Sequence, residues 1–235
     1  MEVCFIIFIL IIIYIVYTSN KNINRQELFT SIQPIDAYIY INLDNREDRK
    51  KLILEEFKKL NIPEEKIYRI AAVRKPKNGH KGCVQSHILA LKLAKLNKWN
   101  KVAIFEDDME LNVTPDEFNN KIKNALEYNK WDMLVLHGSF QEMKKDINND
   151  MYYLNHSTQS TGYVIKSNYI DTLMNAFLLC NTHMSDDKWG NDKHEPYALD
   201  QQWNALIKKD NWIGFKPNLI KQRESPSSIN EGVLY

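Results

Sequence analysis

The sequence predicts an α/β domain: an open, mostly parallel sheet with helices on both faces, preceded by an N-terminal membrane anchor helix. Three observations carry this. From Ile35 onward, short β-rich runs alternate with helical patterns, the rhythm of strand–helix–strand units. Val102–Phe105 and Met133–Leu136 are four-residue apolar runs, the pattern of strands covered on both sides. Val3–Tyr17 is fifteen residues without a charge.

The elements follow in order. Ala37–Leu43 is β-rich and reads as a strand. Glu47–Asn61 sets Leu52, Phe57 and Leu60 among many charges, as an amphipathic helix does. Ile67–Val73 is a second strand, and basic Arg74–Lys81 reads as a loop. Cys83–Lys98 carries Val84, Ile88, Leu91 and Leu96 at helical spacing. After the Val102–Phe105 strand, Thr114-Pro115-Asp116-Glu117 is a capping box with proline at the first helical position, so a helix runs to about Tyr128. Met133–Leu136 and Tyr163–Ile165 are further strands. A helix capped by Ser167 runs to about Leu179, another spans Tyr197 to Lys208, and Trp212–Phe215 is the last strand. In such a sheet, ligands bind at the carboxyl ends of the strands.

Composition narrows the function. Net charge is +1 with 26% charged residues, so no basic face marks a nucleic-acid binder and no nucleic-acid partner is expected. Three cysteines, Cys4, Cys83 and Cys180, make neither a disulfide framework nor a zinc cage alone. As a helix, residues 3–17 reach roughly 23 Å, short of the roughly 30 Å bilayer core, and neighbouring residues extend them. No basic residue precedes the run, and Thr18-Ser19-Asn20 is a poor cleavage site. Residues 1–19 are therefore expected to anchor a single-pass membrane protein, 20–34 to form a polar stalk and 35–235 the catalytic domain. Lys21 and Arg25 favour a cytosolic body; the sequons Asn112-Val-Thr114 and Asn155-His-Ser157 leave sidedness open.

Glu106-Asp107-Asp108 directly follows a buried strand. Three adjacent carboxylates repel one another unless a cation sits among them. Strand alternation puts Glu106 and Asp108 on one side, where they can share a hard divalent cation, with Asp107 turned elsewhere. The alternative is a solvated acidic turn. Arg46 and Arg49 follow the first strand and offer fixed cations to a diphosphate, or are surface charges opening a helix. Ser86 and His87 lie on the first turns of a helix; His87 reads either as a core histidine or as a donor contact. Cys83 reads as a small buried residue. His183 and His194 flank a carboxylate-rich stretch, but their spacing matches no helical ligand pair.

The order Gly82-Cys83-x-x-Ser86-His87, then a helix, then Ile104-Phe105-Glu106-Asp107-Asp108 resembles glycosyltransferase family 25, which includes lipooligosaccharide and collagen galactosyltransferases. The resemblance extends through Tyr40-Ile-Asn-Leu-Asp-x-Arg-x-x-Arg49, Trp131–His137, Thr161–Ser167, Pro196-x-x-x-Asp200, Pro217–Gln222 and Ser225 to Ile229. It implies a GT-A-like fold, a UDP-sugar donor and a divalent metal, manganese. The expected activity is transfer of a hexose, galactose first, to a hydroxyl on a glycan or protein. Glu106 and Asp108 would hold the metal. Arg46, Arg49, Ser86, His87 and Asp107 would bind the donor. Inversion at the anomeric carbon would need a base, and Asp200, near a helix start, is the candidate, with Asp187 and Glu195 as rivals. Two other readings stand beside this one. A nucleotidyltransferase would need a phosphate loop, and Lys75–Lys81 lacks the Walker pattern. The other is a catalytically degenerate binding module at a membrane.

Overall fold

The short apolar runs do become the centre of a sheet. The computed structural model describes Tyr14 and residues 34–139, 141–186 and 197–224. The chain divides into two compact units, Met1–Pro34 and Ile35–Tyr235, and every element below belongs to the second. In chain order they are β1 (Ala37–Asn42), α1 (Glu47–Lys59), a 3-10 turn (Glu64–Lys66), β2 (Ile67–Ala71), α2 (Gly79–Leu96), β3 (Lys101–Glu106), β4 (Met109–Leu111), α3 (Pro115–Tyr128) and β5 (Met133–Val135). There follow β6 (Gln141–Asp146), β7 (Met151–Ser157), β8 (Gly162–Lys166), a 3-10 turn (Ser167–Tyr169), α4 (Ile170–His183), α5 (Leu199–Gln202), α6 (Asn204–Ile207), β9 (Trp212–Phe215) and β10 (Ile220–Gln222).

Among the described residues, eight strands form one sheet in the order β2-β1-β3-β8-β5-β9-β7-β6, and β10 pairs with β4 in a separate ribbon. β1 is parallel to β2 and β3, and β5 to β9. β8 runs against β3 and β5, and β7 against β6 and β9. Six strands therefore run one way, with β7 and β8 opposed to them in a mixed sheet. β6 and β7 form a hairpin, a connection that only antiparallel strands can make with a short turn.

Alternate residues of the central strands feed two cores. Val102 and Ile104 join Val84, Ile88 and Leu91 of α2 and Leu173 and Phe177 of α4. Ala103 and Phe105 join Ile53 and Phe57 of α1 and Phe118 and Ile122 of α3. Helices thus cover both faces, as the sequence predicts. α3 begins at its capping box: Glu117 N donates to Thr114 Oγ1 at 3.2 Å, and Pro115 holds the first turn. α2 starts earlier than expected, because Asn78 caps it by accepting from Lys81 N at 3.0 Å. The expected Ser167 cap is a 3-10 turn without a side-chain cap bond. The helix expected over 197–208 is two short pieces about Trp203, whose indole N–H is drawn off to Ser157 O at 2.8 Å.

No helix among the described residues is long and apolar enough to cross a membrane. This overturns the single-pass membrane placement. The longest of them, α2, has 18 residues but carries Lys81, Lys92 and Lys95, and a span needs about 20 apolar ones. The anchor expected at 1–19 and the stalk at 20–34 lie outside the described residues, apart from Tyr14 and Pro34.

Candidate active site

β1 leads through α1 to β2 on one side, and β2 leads through α2 to β3 on the other side of β1. α1 and α2 lie on opposite faces. The carboxyl ends of β1 and β3 therefore flank a topological switch point, where crossovers diverge and leave a crevice. Asn42 ends β1, and Glu106 ends β3 directly beside it.

The β3 alternation decides where each carboxylate goes. Val102 and Ile104 face α2, so Glu106 does too; its Oε1 lies 3.3 Å from His87 Nε2 and accepts from Ser160 Oγ at 2.5 Å. His87 Nδ1 in turn lies 3.0 Å from Tyr163 OH. Asp107 faces α1. Its Oδ1 accepts from Arg49 Nη1 at 3.0 Å and its Oδ2 from Asn42 Nδ2 at 2.7 Å. The chain then leaves the strand, and alternation ends. Asp108 Oδ2 also meets Arg49 Nη1, at 3.3 Å, and accepts from Gln222 Nε2 at 3.1 Å. Asp107 and Asp108 thus converge on the Arg49 guanidinium, while Glu106 still acts on Asp108 as a neighbouring charge. The β4–β10 ribbon fixes the turn after Glu106, with Gln222 opposite Met109.

Electrostatics differ across the tripeptide. Burial and the neighbouring Glu106 push Asp108 up to about 7, with Arg49 and Gln222 opposing. Burial also raises Asp107, against Arg49 and Asn42. Glu106 is held below its ordinary value: desolvation acts upward, but His87, Ser160 and Arg49 outweigh it. Cys83, one turn before His87, is pushed well up by burial and by Glu106, Asp200 and Asp108.

The other expected residues are scattered around this centre. Arg46 caps α1 and clasps Asp48 at 2.8 Å, while Asp107 and Asp108 act on it from a distance. Ser86 is buried and its hydroxyl is engaged twice, accepting from Val73 N at 2.8 Å and donating to Gly82 O at 2.7 Å. A Cβ on Gly82 would stand 2.4 Å from Val73 O, so Gly82 and Ser86 together seat α2 against the chain that leaves β2. Asp200, at the start of α5, accepts from Gln159 N at 2.8 Å. His183 stacks on Tyr197 with centroids 4.8 Å apart. His194 and the rival bases Asp187 and Glu195 lie outside the described residues.

The sequence reading missed the segment between β7 and β8. Gln159 (φ 70°) pairs its Oε1 with His137 Nε2 at 2.6 Å, donates its N–H to Asp200, and precedes Ser160 on Glu106. It ties three otherwise distant elements together. Asn42 and His137 stood within quoted motifs, but a motif does not say which side chain turns inward. Gln222 closes the Pro217–Gln222 stretch of the resemblance, but Ser160 and Gln159 carry no sequence signal, since they act only through pairing of strands far apart in the chain.

A divalent cation fits this set. Asp108 Oδ1 is buried without a hydrogen-bond partner, a state that is costly unless something unseen satisfies it. The available donors are carboxylate oxygens, which suit hard cations such as manganese and magnesium.

The chain matches the model of glycosyltransferase family 25 (LPS biosynthesis protein) over residues 64–188, which include α2, the acidic tripeptide, β8 and α4. A Haemophilus influenzae protein named "Putative glycosyltransferase" is 38% identical over 89 residues, covering 30% of this chain; the match spans about a third (32%) of that relative. Among solved structures, mannose-1-phosphate geranyltransferase from Thermus thermophilus aligns at a TM-score of 0.47 with 9% identity, covering 78% of this chain and 74% of that one. A glycosyltransferase involved in glycosylation of the major capsid of PBCV-1 aligns at 0.42 with 12% identity, covering 77% and 92%. With its model matched over more than half of the sequence, the chain belongs to glycosyltransferase family 25.

Proposed function

We propose that this protein is a glycosyltransferase that moves a hexose, galactose first among them, from a UDP-sugar to a hydroxyl on a glycan or protein. The observation that carries the reading is the buried, hydrogen-bond-poor Asp108 at the switch point of the sheet, beside Arg49. Asp108 would hold a divalent cation, manganese, which when bound neutralises charge on the departing diphosphate. The chain's own residues do the positioning. Arg49 and Asn42 hold both oxygens of Asp107, so its remaining lone pairs point in fixed directions toward donor hydroxyls. Arg46, at the rim, exchanges Asp48 for phosphate oxygens. His87, clamped between Tyr163 and Glu106, fixes the floor on the α2 side. Asp200, held by Gln159 N–H, takes the proton of the acceptor hydroxyl.

Calorimetry with UDP-galactose and manganese tests the reading. Binding is expected with the metal and lost with excess chelator, and Asp108→Asn should abolish the metal-dependent part. Equal affinity in chelator would overturn it.

A further inference from the structure

We propose that Cys83, His87 and Glu106 form a second cation site, one for a thiophilic divalent ion of the zinc class, on the α2 side of the tripeptide. Its ligand set of sulfur, nitrogen and oxygen differs from the oxygen donor at Asp108, and it does not depend on the transfer reading.

Cys83 and His87 are four residues apart on α2 and so share a helix face. The alternation of β3 turns Glu106 onto that face. One ligand atom from each of the three lies within 4.8 Å of the others. The His87 Nε2 to Glu106 Oε1 distance of 3.3 Å is already that between ligands of a tetrahedral zinc, about 3.3 Å for bonds of about 2.0 Å. A sulfur, an imidazole nitrogen and a carboxylate oxygen are the zinc ligand set, whereas manganese favours oxygen. Three protein ligands leave a fourth position open.

The outer contacts are those of a metal-binding histidine. With its proton on Nδ1, donated to the Tyr163 oxygen, His87 presents the Nε2 lone pair to the site. Ser160 Oγ donates to the same Glu106 Oε1 at 2.5 Å and fixes the carboxylate in place. A bound cation would displace the Cys83 thiol proton to solvent and leave the thiolate as ligand. The surrounding carboxylates, Glu106, Asp108 and Asp200, all favour a cation here.

The test is anaerobic titration of the full chain with cobalt(II), followed by zinc. One cobalt per chain should give a thiolate-to-cobalt absorption band, which zinc then displaces. Cys83→Ser should lose the band, while Cys180→Ser and Asp108→Asn keep it. Ser160→Ala should weaken cobalt binding by about tenfold, the low end for an outer-contact partner. A second readout needs no variant: zinc should slow alkylation of Cys83, mapped by mass spectrometry. A band that persists in Cys83→Ser, no band at all, or an unchanged Cys83 alkylation rate would overturn the proposal.

Discussion

Arg49 reaches from α1 to the turn after β3 and sets Nη1 3.0 Å from Asp107 Oδ1, with both side chains almost wholly buried. The same nitrogen serves Asp108. This one guanidinium is what lets two adjacent carboxylates stay close beneath the crevice. Arg49→Met should therefore destabilise the fold by about 3–5 kcal/mol, since removing one partner leaves buried charge uncompensated. Urea unfolding at neutral pH measures it. A loss below about 1 kcal/mol would show that the carboxylates are balanced by something else.

Asp108 gives a pH prediction with a definite sign. Its folded value, about 7, stands above the ordinary carboxylate range. The folded state then holds a proton that the unfolded chain has released, so stability falls as pH rises from about 4 to about 7. Without divalent cations, Asp108→Asn should unfold at a higher temperature than the parent at pH 7.5, by about 2–4 °C for each kcal/mol relieved. Manganese should raise the parent's melting temperature and leave that of Asp108→Asn unmoved. Parallel pH profiles for the two proteins would refute the assignment.

Gly82 and Ser86 yield a third prediction. Gly82→Ala forces a Cβ onto Val73 O and should cost about 1–3 kcal/mol. Ser86→Ala strands the Val73 N–H and should cost about 1–3 kcal/mol. Because the Ser86 hydroxyl is spent on backbone, the affinity of the folded Ser86→Ala protein for UDP should match the parent. A UDP affinity lowered at least tenfold, with unchanged stability, would put Ser86 against the donor instead.

How much of this was legible beforehand depended on the range of the interaction. Thr114-Pro-Asp-Glu117 fixed the start of α3 from four residues, because capping is local. Val102–Phe105 announced a buried strand, because the run is apolar on both sides. β6 did not announce itself: Gln141–Asp146 is polar and mostly exposed, and it is a strand only because β7 pairs with it. The acidic tripeptide was found from composition and position, but alternation says nothing of Asp108 once the strand has ended. The strand ends at Glu106, and only the distant β10 says which way Asp108 then turns. Ser160 and Gln159 reach the site from a connection of four residues with no periodic pattern.

Asp200 provides the last prediction, and two roles compete for it. As a base it would remove the acceptor's proton; as an anchor it would only hold Gln159 N–H at 2.8 Å and keep the 158–161 connection in place. The anchor role is real, since Gln159 adopts a positive φ and links to His137. Asp200→Asn separates the two. Asparagine retains a carbonyl oxygen that can accept from Gln159 N–H, so the anchor largely survives while the basicity is lost. As the proposed base, Asp200→Asn should keep UDP-sugar affinity and lower kcat by at least about a hundredfold. Asp200→Ala would remove both roles. If Asp200 is only an anchor, Asp200→Asn should turn over near the parent's rate while Asp200→Ala alone falls, because the loss then follows the Gln159 contact and not the carboxylate. Measured transfer to a hydroxyl acceptor in both variants, with donor affinity as the control, decides between them.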